Sequence, residues 1–195
     1  MKGRCRQSRQ RGTGLSDRRQ AVEGENPDFS KSLERTGHSM TEQQLKKLVT
    51  EVVSSLGNQD MTLDLALCLT EKVKAKAAEM GVNAVIAVSN AAGNPVSVQC
   101  MDDSYIASYD VAFNKAYTVV ALKMPTTTLK ELAQPGGSLY GIQFTNGGKI
   151  VIFGGGVPLY NKAGKIIGGL GVSGGSEGED TSLAEYGGEI FQSLL

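Results

Sequence analysis

Between Gly147 and Asp180 the chain alternates short apolar, β-branched runs with clusters of glycine: Lys149-Ile-Val-Ile-Phe153, Gly154-Gly-Gly156, Val157-Pro-Leu-Tyr160, and Lys165-Ile-Ile-Gly-Gly-Leu-Gly-Val-Ser173. Apolar runs of this length, bounded by turn signals, read as strands. Glycine either supplies a positive φ at a turn or lets another backbone approach closely. The stretch therefore predicts three strands, Ile150–Phe153, Val157–Tyr160 and Lys165–Ser173, with Asn161–Gly164 as the tight connection between the last two. Its glycines lack the Gly-Lys-Ser/Thr of a phosphate-binding loop, and they do not follow the first strand of a βαβ unit. Successive amides at Gly171–Gly175 could face an anion; the alternative is that the glycines serve turns and tight sheet packing.

The chain ahead of this stretch supplies helices and one hairpin. Thr41 and Gln44 make a capping box before Leu45, Leu48, Val49, Val52 and Val53 at helical spacing, and Gly57-Asn58 ends that helix. Thr62 or Asp60 opens a second helix, Leu63 to Met80, stopped by Gly81. Asn83–Ser89 and Val96–Met101 form a hairpin around Asn90–Pro95. Asp102-Asp103-Ser104 can cap the next helix, Ser104 to Lys123, on which Ile106, Tyr109, Phe113, Ala116, Tyr117 and Val120 share an apolar face. Its alanines keep it slim enough to lie close to a sheet. Thr128/Glu131 and Ser182/Glu185 read as two further capping boxes, the last one opening the final helix. Hairpin-linked strands imply an antiparallel sheet and the long helices must cover it. The expectation is one α+β domain, residues 40–195, with a five-stranded antiparallel sheet covered by helices. Residues 1–39, basic and almost without apolar side chains, read as a disordered N-terminal extension.

The absences narrow the chemistry. His38 is the only histidine of 195 residues, so His-based zinc sites, Ser-His-Asp triads and Cys-His dyads are excluded from the domain. Twenty basic and twenty acidic residues cancel, which gives no field for nucleic acid. Residues 1–40 hold nine Lys/Arg against five Asp/Glu, so the folded part is mildly acidic. No apolar run approaches the roughly 18–20 residues of a membrane span. Cys5, Cys68 and Cys100 are odd in number, widely spaced and form no C-x-x-C pair, a usage that suits a reducing, cytoplasmic setting. Ser173 has no base to activate it as a nucleophile.

Three stretches carry a family resemblance. Met101-Asp102-Asp103 with Lys115-Ala116-Tyr117-Thr118, Gly154-Gly155-Gly156-Val157-Pro158, and Gly168–Gly175 followed by Asp180 stand in the order of the motifs of the GlcG/HbpS/PduO C-terminal domain family. The chain resembles that family over about Thr41 to Leu195. Gln134-Pro135-Gly136 and Tyr140-Gly141-Ile142-Gln143 resemble the branch formed by the PduO C-terminal domain and stand-alone proteins encoded beside glycerol and diol dehydratases. The resemblance implies a cytoplasmic homo-oligomer that binds a small ligand, haem or a corrinoid, in support of B12-dependent glycerol or diol metabolism, with dehydratase components as candidate partners. It does not imply adenosyltransferase activity.

It also implies a site. Lys115 would neutralise a carboxylate or propionate, oriented by Asp102; Met101, Tyr105 and Tyr109 stand on or beside the same helix; and Gly155, Gly171 and Ser173 offer backbone and a hydroxyl. Tyr, Met and Cys can ligate haem iron, but with the one histidine at position 38 no axial ligand is assignable, and Asp180 reads as a helix cap. An enzyme acting on a small hydroxy acid, an aldehyde or a tetrapyrrole, and a ligand-free assembly partner of a dehydratase system, are the two other readings.

Overall fold

The computed structural model describes residues 41–56 and 60–195, and the side chains of 50–56 stand outside that description. The expected extension at 1–39 and the helix stop at Gly57-Asn58 also lie outside the described residues. The chain divides into two units at Asn58/Gln59. In the first, α1 (Glu42–Leu56) begins at the expected capping box. Thr41 N–H donates to Gln44 Oε1 (2.9 Å) and Gln44 N–H donates to Thr41 Oγ1 (3.3 Å).

The second unit runs α2 (Leu63–Glu79), β1 (Val85–Asn90), β2 (Pro95–Cys100), α3 (Ile106–Leu122), α4 (Thr126–Leu132), β3 (Gly156–Tyr160), β4 (Ile166–Ser173) and α5 (Glu177–Phe191). Thr62 caps α2 through its hydroxyl, and Gly81 takes the left-handed conformation just past its end. The sheet is antiparallel throughout, in the order β2-β1-β4-β3. One face packs on α2 and α5, where Leu69, Val73, Ile86, Leu170, Leu183 and Phe191 share a core. The other face packs on α3 through Val85, Ala87, Ala112 and Ala116.

β4 shows why the sequence allows this layering. Side chains alternate across a strand, so Leu170 and Val172 enter the larger core while Gly169, Gly171 and Ser173 face α3. A Cβ at Gly171 would collide with the carbonyl oxygen of Ala112, and one at Gly169 with that of Ala116. Two glycines thus set how closely α3 lies on the sheet. Ser89 reinforces the contact: its hydroxyl donates to Ala116 O at 2.9 Å.

Three expectations are corrected, the first being the Thr128/Glu131 capping box: α4 begins at Thr126 after Pro125, with no side-chain cap. Among the described residues the sheet has four strands, not five: Ile150–Phe153 is not a strand. Its surroundings bend through positive φ at Asn146, Gly147, Gly148 and Gly155. Nearby amides are taken by distant side chains instead of a strand partner: Val151 N–H donates to Thr118 Oγ1 (3.0 Å), Gly154 N–H to Glu177 Oε1 (2.8 Å) and Gly156 N–H to Thr126 Oγ1 (2.9 Å). The final helix also starts earlier than expected. Ser176 and Glu179 form its capping box, so Asp180 lies inside the first turn and is not the cap. No helix among the described residues is long and apolar enough to cross a membrane.

Candidate functional site

Lys115 lies on the sheet side of α3 and is fully buried. Its ammonium donates to Val172 O at 2.7 Å and to Asp180 Oδ2 at 2.8 Å. It stands 4.9 Å from the ring centroid of Phe153. Asp180, almost as buried, uses Oδ1 to accept Gly175 N–H at 3.0 Å. The ion pair therefore ties α3, the end of β4 and the first turn of α5 together. Burial pushes the Lys115 amine below its ordinary value, against the opposing hydrogen bond and charge of Asp180 and the charge of Glu177. Removing one member of such a buried pair would strand the other.

Gly155 closes the pair from the side. Its φ is +105°, and a Cβ there would sit 2.7 Å from Lys115 Nζ and 2.8 Å from Asp180 Cβ. Glu177, one turn ahead of Asp180, accepts from Lys130 Nζ (2.8 Å) and from Gly154 N–H. These contacts hold its carboxyl below the usual range, the Lys130 hydrogen bond contributing most. Four charges thus alternate in sign around the Gly154–Gly156 turn.

Above this frame lies a cleft of about 370 Å³ between the start of α3, the 150–156 turn and the start of α5. Tyr105 and Phe153 stand on its rim; Ser108, Val111 and Ser173 line it, with Asp180 and Glu177 at the α5 side. Ser173 Oγ donates to Ser108 Oγ at 3.1 Å. Tyr105 is 71% exposed and Phe153 39%, so a flat apolar ligand would meet two aromatic surfaces over a floor of hydroxyls.

The residues singled out from the sequence are distributed unevenly over this region. Tyr105 and Ser173 line the cleft. Lys115 and Gly155 lie beneath it, Lys115 committed to Asp180 and Val172. Gly171 backs onto Ala112 under α3. Met101 packs against the core shared with α2. Asp102 is exposed in the turn before α3, whose first residues receive no side-chain cap; the carboxylate paired with Lys115 is Asp180. Tyr109 points away from the sheet and is 49% exposed. Phe153, Ser108 and Glu177 are the contributors that the sequence reading did not name. Asp180 was visible there only as the last residue of a motif and as a helix cap.

No group of three or more His, Cys, Asp and Glu side chains suited to a metal ion occurs among the described residues. Cys100 is exposed and free.

The chain is similar to known proteins in sequence and fold. A family described as haem degrading protein HbpS-like matches residues 61–189. A Citrobacter freundii protein described as an uncharacterized 15.0 kDa protein in the dhaT-dhaS intergenic region is 44% identical over 134 residues, 69% of this chain and 94% of that one. Corrinoid adenosyltransferase PduO of the same organism is 40% identical over 117 residues, which are 60% of this chain but only 35% of that enzyme. Among solved structures, a PduOC:heme complex superposes with a TM-score of 0.64 at 35% identity, covering 67% of this chain and 94% of that one.

Proposed function

The chain belongs to the HbpS-like haem-degrading family, and from that premise we propose that it binds a tetrapyrrole, haem or a corrinoid, in the cleft between Tyr105 and Phe153. The observation that carries this reading is the cleft itself: aromatic rims, a hydroxyl floor and a size in the range of about 300–1,000 Å³ typical of small-ligand sites. The solved relative bound to heme and the PduO relative, named for corrinoid chemistry, support the two ligand classes. The match covers about a third of PduO, and ligand binding, not adenosyl transfer, is what we carry over. The dhaT-dhaS relative supports a place in glycerol or diol metabolism. We read the protein as cytoplasmic and homo-oligomeric.

The residues present fit such a ligand in a particular way. Lys115 is buried and doubly engaged, so it supports the cleft from below and does not reach a propionate. Tyr105 combines exposure, a place on the cleft rim and a phenol that can ligate iron. Phe153 offers the opposing apolar face. The alternation of charges beneath the cleft leaves no strong field to reject a ligand with both apolar and carboxylate parts.

Titration of the purified protein with haemin and with hydroxocobalamin at micromolar concentration tests the reading. A saturable shift of the visible absorption bands with one of the two is expected, lost in Phe153→Ala and altered in Tyr105→Phe. An unshifted spectrum with both tetrapyrroles would overturn it.

A further inference from the structure

Apart from Lys115, α3 carries its small residues inward and its large ones outward. Ala112, Lys115 and Val119 are fully buried, while Ile106 is 96% exposed and Tyr109 49%. At about 3.6 residues per turn, Ile106, Tyr109, Asp110, Phe113 and Tyr117 fall on one face, opposite the sheet. A helix that is apolar all round is a buried helix, and nothing in this chain's second unit covers the outer side of Ile106. Ile106 and Tyr109 leave apolar surface exposed at the start of this face, continued by the half-buried Phe113 and Tyr117, and exposed apolar surface of this kind marks an interaction site.

We propose that this ridge is a two-fold interface in which α3 of one copy packs antiparallel on α3 of a second copy; the proposal rests on the homo-oligomer reading above. Charge distribution selects this occupant. Asp110 is the exposed carboxylate of the ridge, three residues before Phe113. Tyr117 lies four residues after Phe113, and Lys149 Nζ stands 5.7 Å from its ring centroid. A two-fold axis midway between positions 113 and 114 sets each position before it across from the position equally far after it, and so pairs 110 with 117. The Asp110 carboxylate of each copy then meets the Tyr117–Lys149 end of the other, twice. Parallel packing would set like charges together. An apolar stripe with a carboxylate at one end and an ammonium at the other is therefore complementary to itself under antiparallel rotation, the isologous geometry of two-fold dimers.

The same geometry bears on the cleft. Tyr105, Ser108 and Val111 belong to the Asp110 half of α3 and also line the cleft. The antiparallel neighbour would therefore lie beside the end of α3 that borders the cleft, on the face of the helix opposite Ser108.

Charge reversal in the full-length chain tests the interface, because Asp110 and Lys149 are both exposed and either can change without disturbing the fold. Sedimentation velocity across micromolar concentrations should show that Asp110→Lys and Lys149→Asp each weaken association by about tenfold or more, while far-ultraviolet circular dichroism stays unchanged. The double variant Asp110→Lys/Lys149→Asp should recover the wild-type mass. Single variants that associate like wild type, or a double variant that stays dissociated, would overturn this interface and leave the homo-oligomer reading standing. A wild-type protein monomeric at every concentration would overturn both.

Discussion

The two sides of α3 differ in what they demand of their residues. On the inner side Ala112, Ala116 and Val119 meet Gly169, Gly171 and Ser89 with no room for another methyl, and the one large side chain, Lys115, is held by two oxygens. On the outer side Ile106 and Tyr109 lie in the open. Inner positions are therefore constrained by volume and by unpaired charge, and their failure shows as lost stability. Outer positions cost the monomer little, and under the proposed interface their failure would show in association. One helix thus separates what holds the fold from what the surface offers to partners.

The comparison breaks first at Gly171. Overpacking a core typically costs about 1–3 kcal/mol. Here the obstacle is the backbone of Ala112, so Gly171→Val should exceed that and abolish the cooperative thermal transition seen by circular dichroism. A sharp transition near the wild-type temperature would show that α3 does not sit as closely as described. Next comes the ion pair. Lys115→Met leaves Asp180 buried without its cation and should destabilise by about 3–5 kcal/mol in urea unfolding. Lys115→Met/Asp180→Leu should recover most of that loss, since an apolar pair replaces an ionic one. A double variant as unstable as the single would mean that the pair contributes beyond its own charges.

A smaller effect sharpens the boundary of the inner frame. The Glu177 carboxyl is depressed by Lys130 and by Gly154 N–H. A depressed carboxyl contributes stability that is present above its unfolded value and lost as pH falls through its folded one. The gap in denaturation midpoint between wild type and Glu177→Gln should therefore narrow on acidification below the ordinary carboxylate range. A gap that stays constant with pH would remove Glu177 from the frame.

Much of this was legible in the sequence where the signal is local. The hairpin, the Thr41–Gln44 cap, the stop at Gly81 and the alternation in Gly169-Leu170-Gly171-Val172-Ser173 each follow from residues within one element. The glycines of β4 were read either as amides facing an anion or as packing devices, and Gly169 and Gly171 pack against the backbone of α3. The fifth strand failed because Val151, Gly154 and Gly156 donate to Thr118, Glu177 and Thr126, between 23 and 33 residues away, and no window around Ile150 shows those partners. The partner of Lys115 was hidden for the same reason: Asp180 is 65 residues distant, whereas Asp102 is near in sequence and exposed. Which side of α3 meets the sheet was not legible for a different reason. Both sides of the helix are apolar, and only the close approach of Gly169 and Gly171 to Ala116 and Ala112 selects the small residues for the inner side.

The separation of the two faces is tested most directly by measuring stability and association on one pair of variants, Val119→Ala inside and Ile106→Glu outside. Val119→Ala should lower unfolding stability by about 1–3 kcal/mol and leave the sedimenting mass at its wild-type value. Ile106→Glu should shift stability by no more than about 0.5 kcal/mol and lower the mass. An Ile106→Glu chain that unfolds as readily as Val119→Ala, or that sediments like wild type, would contradict that separation.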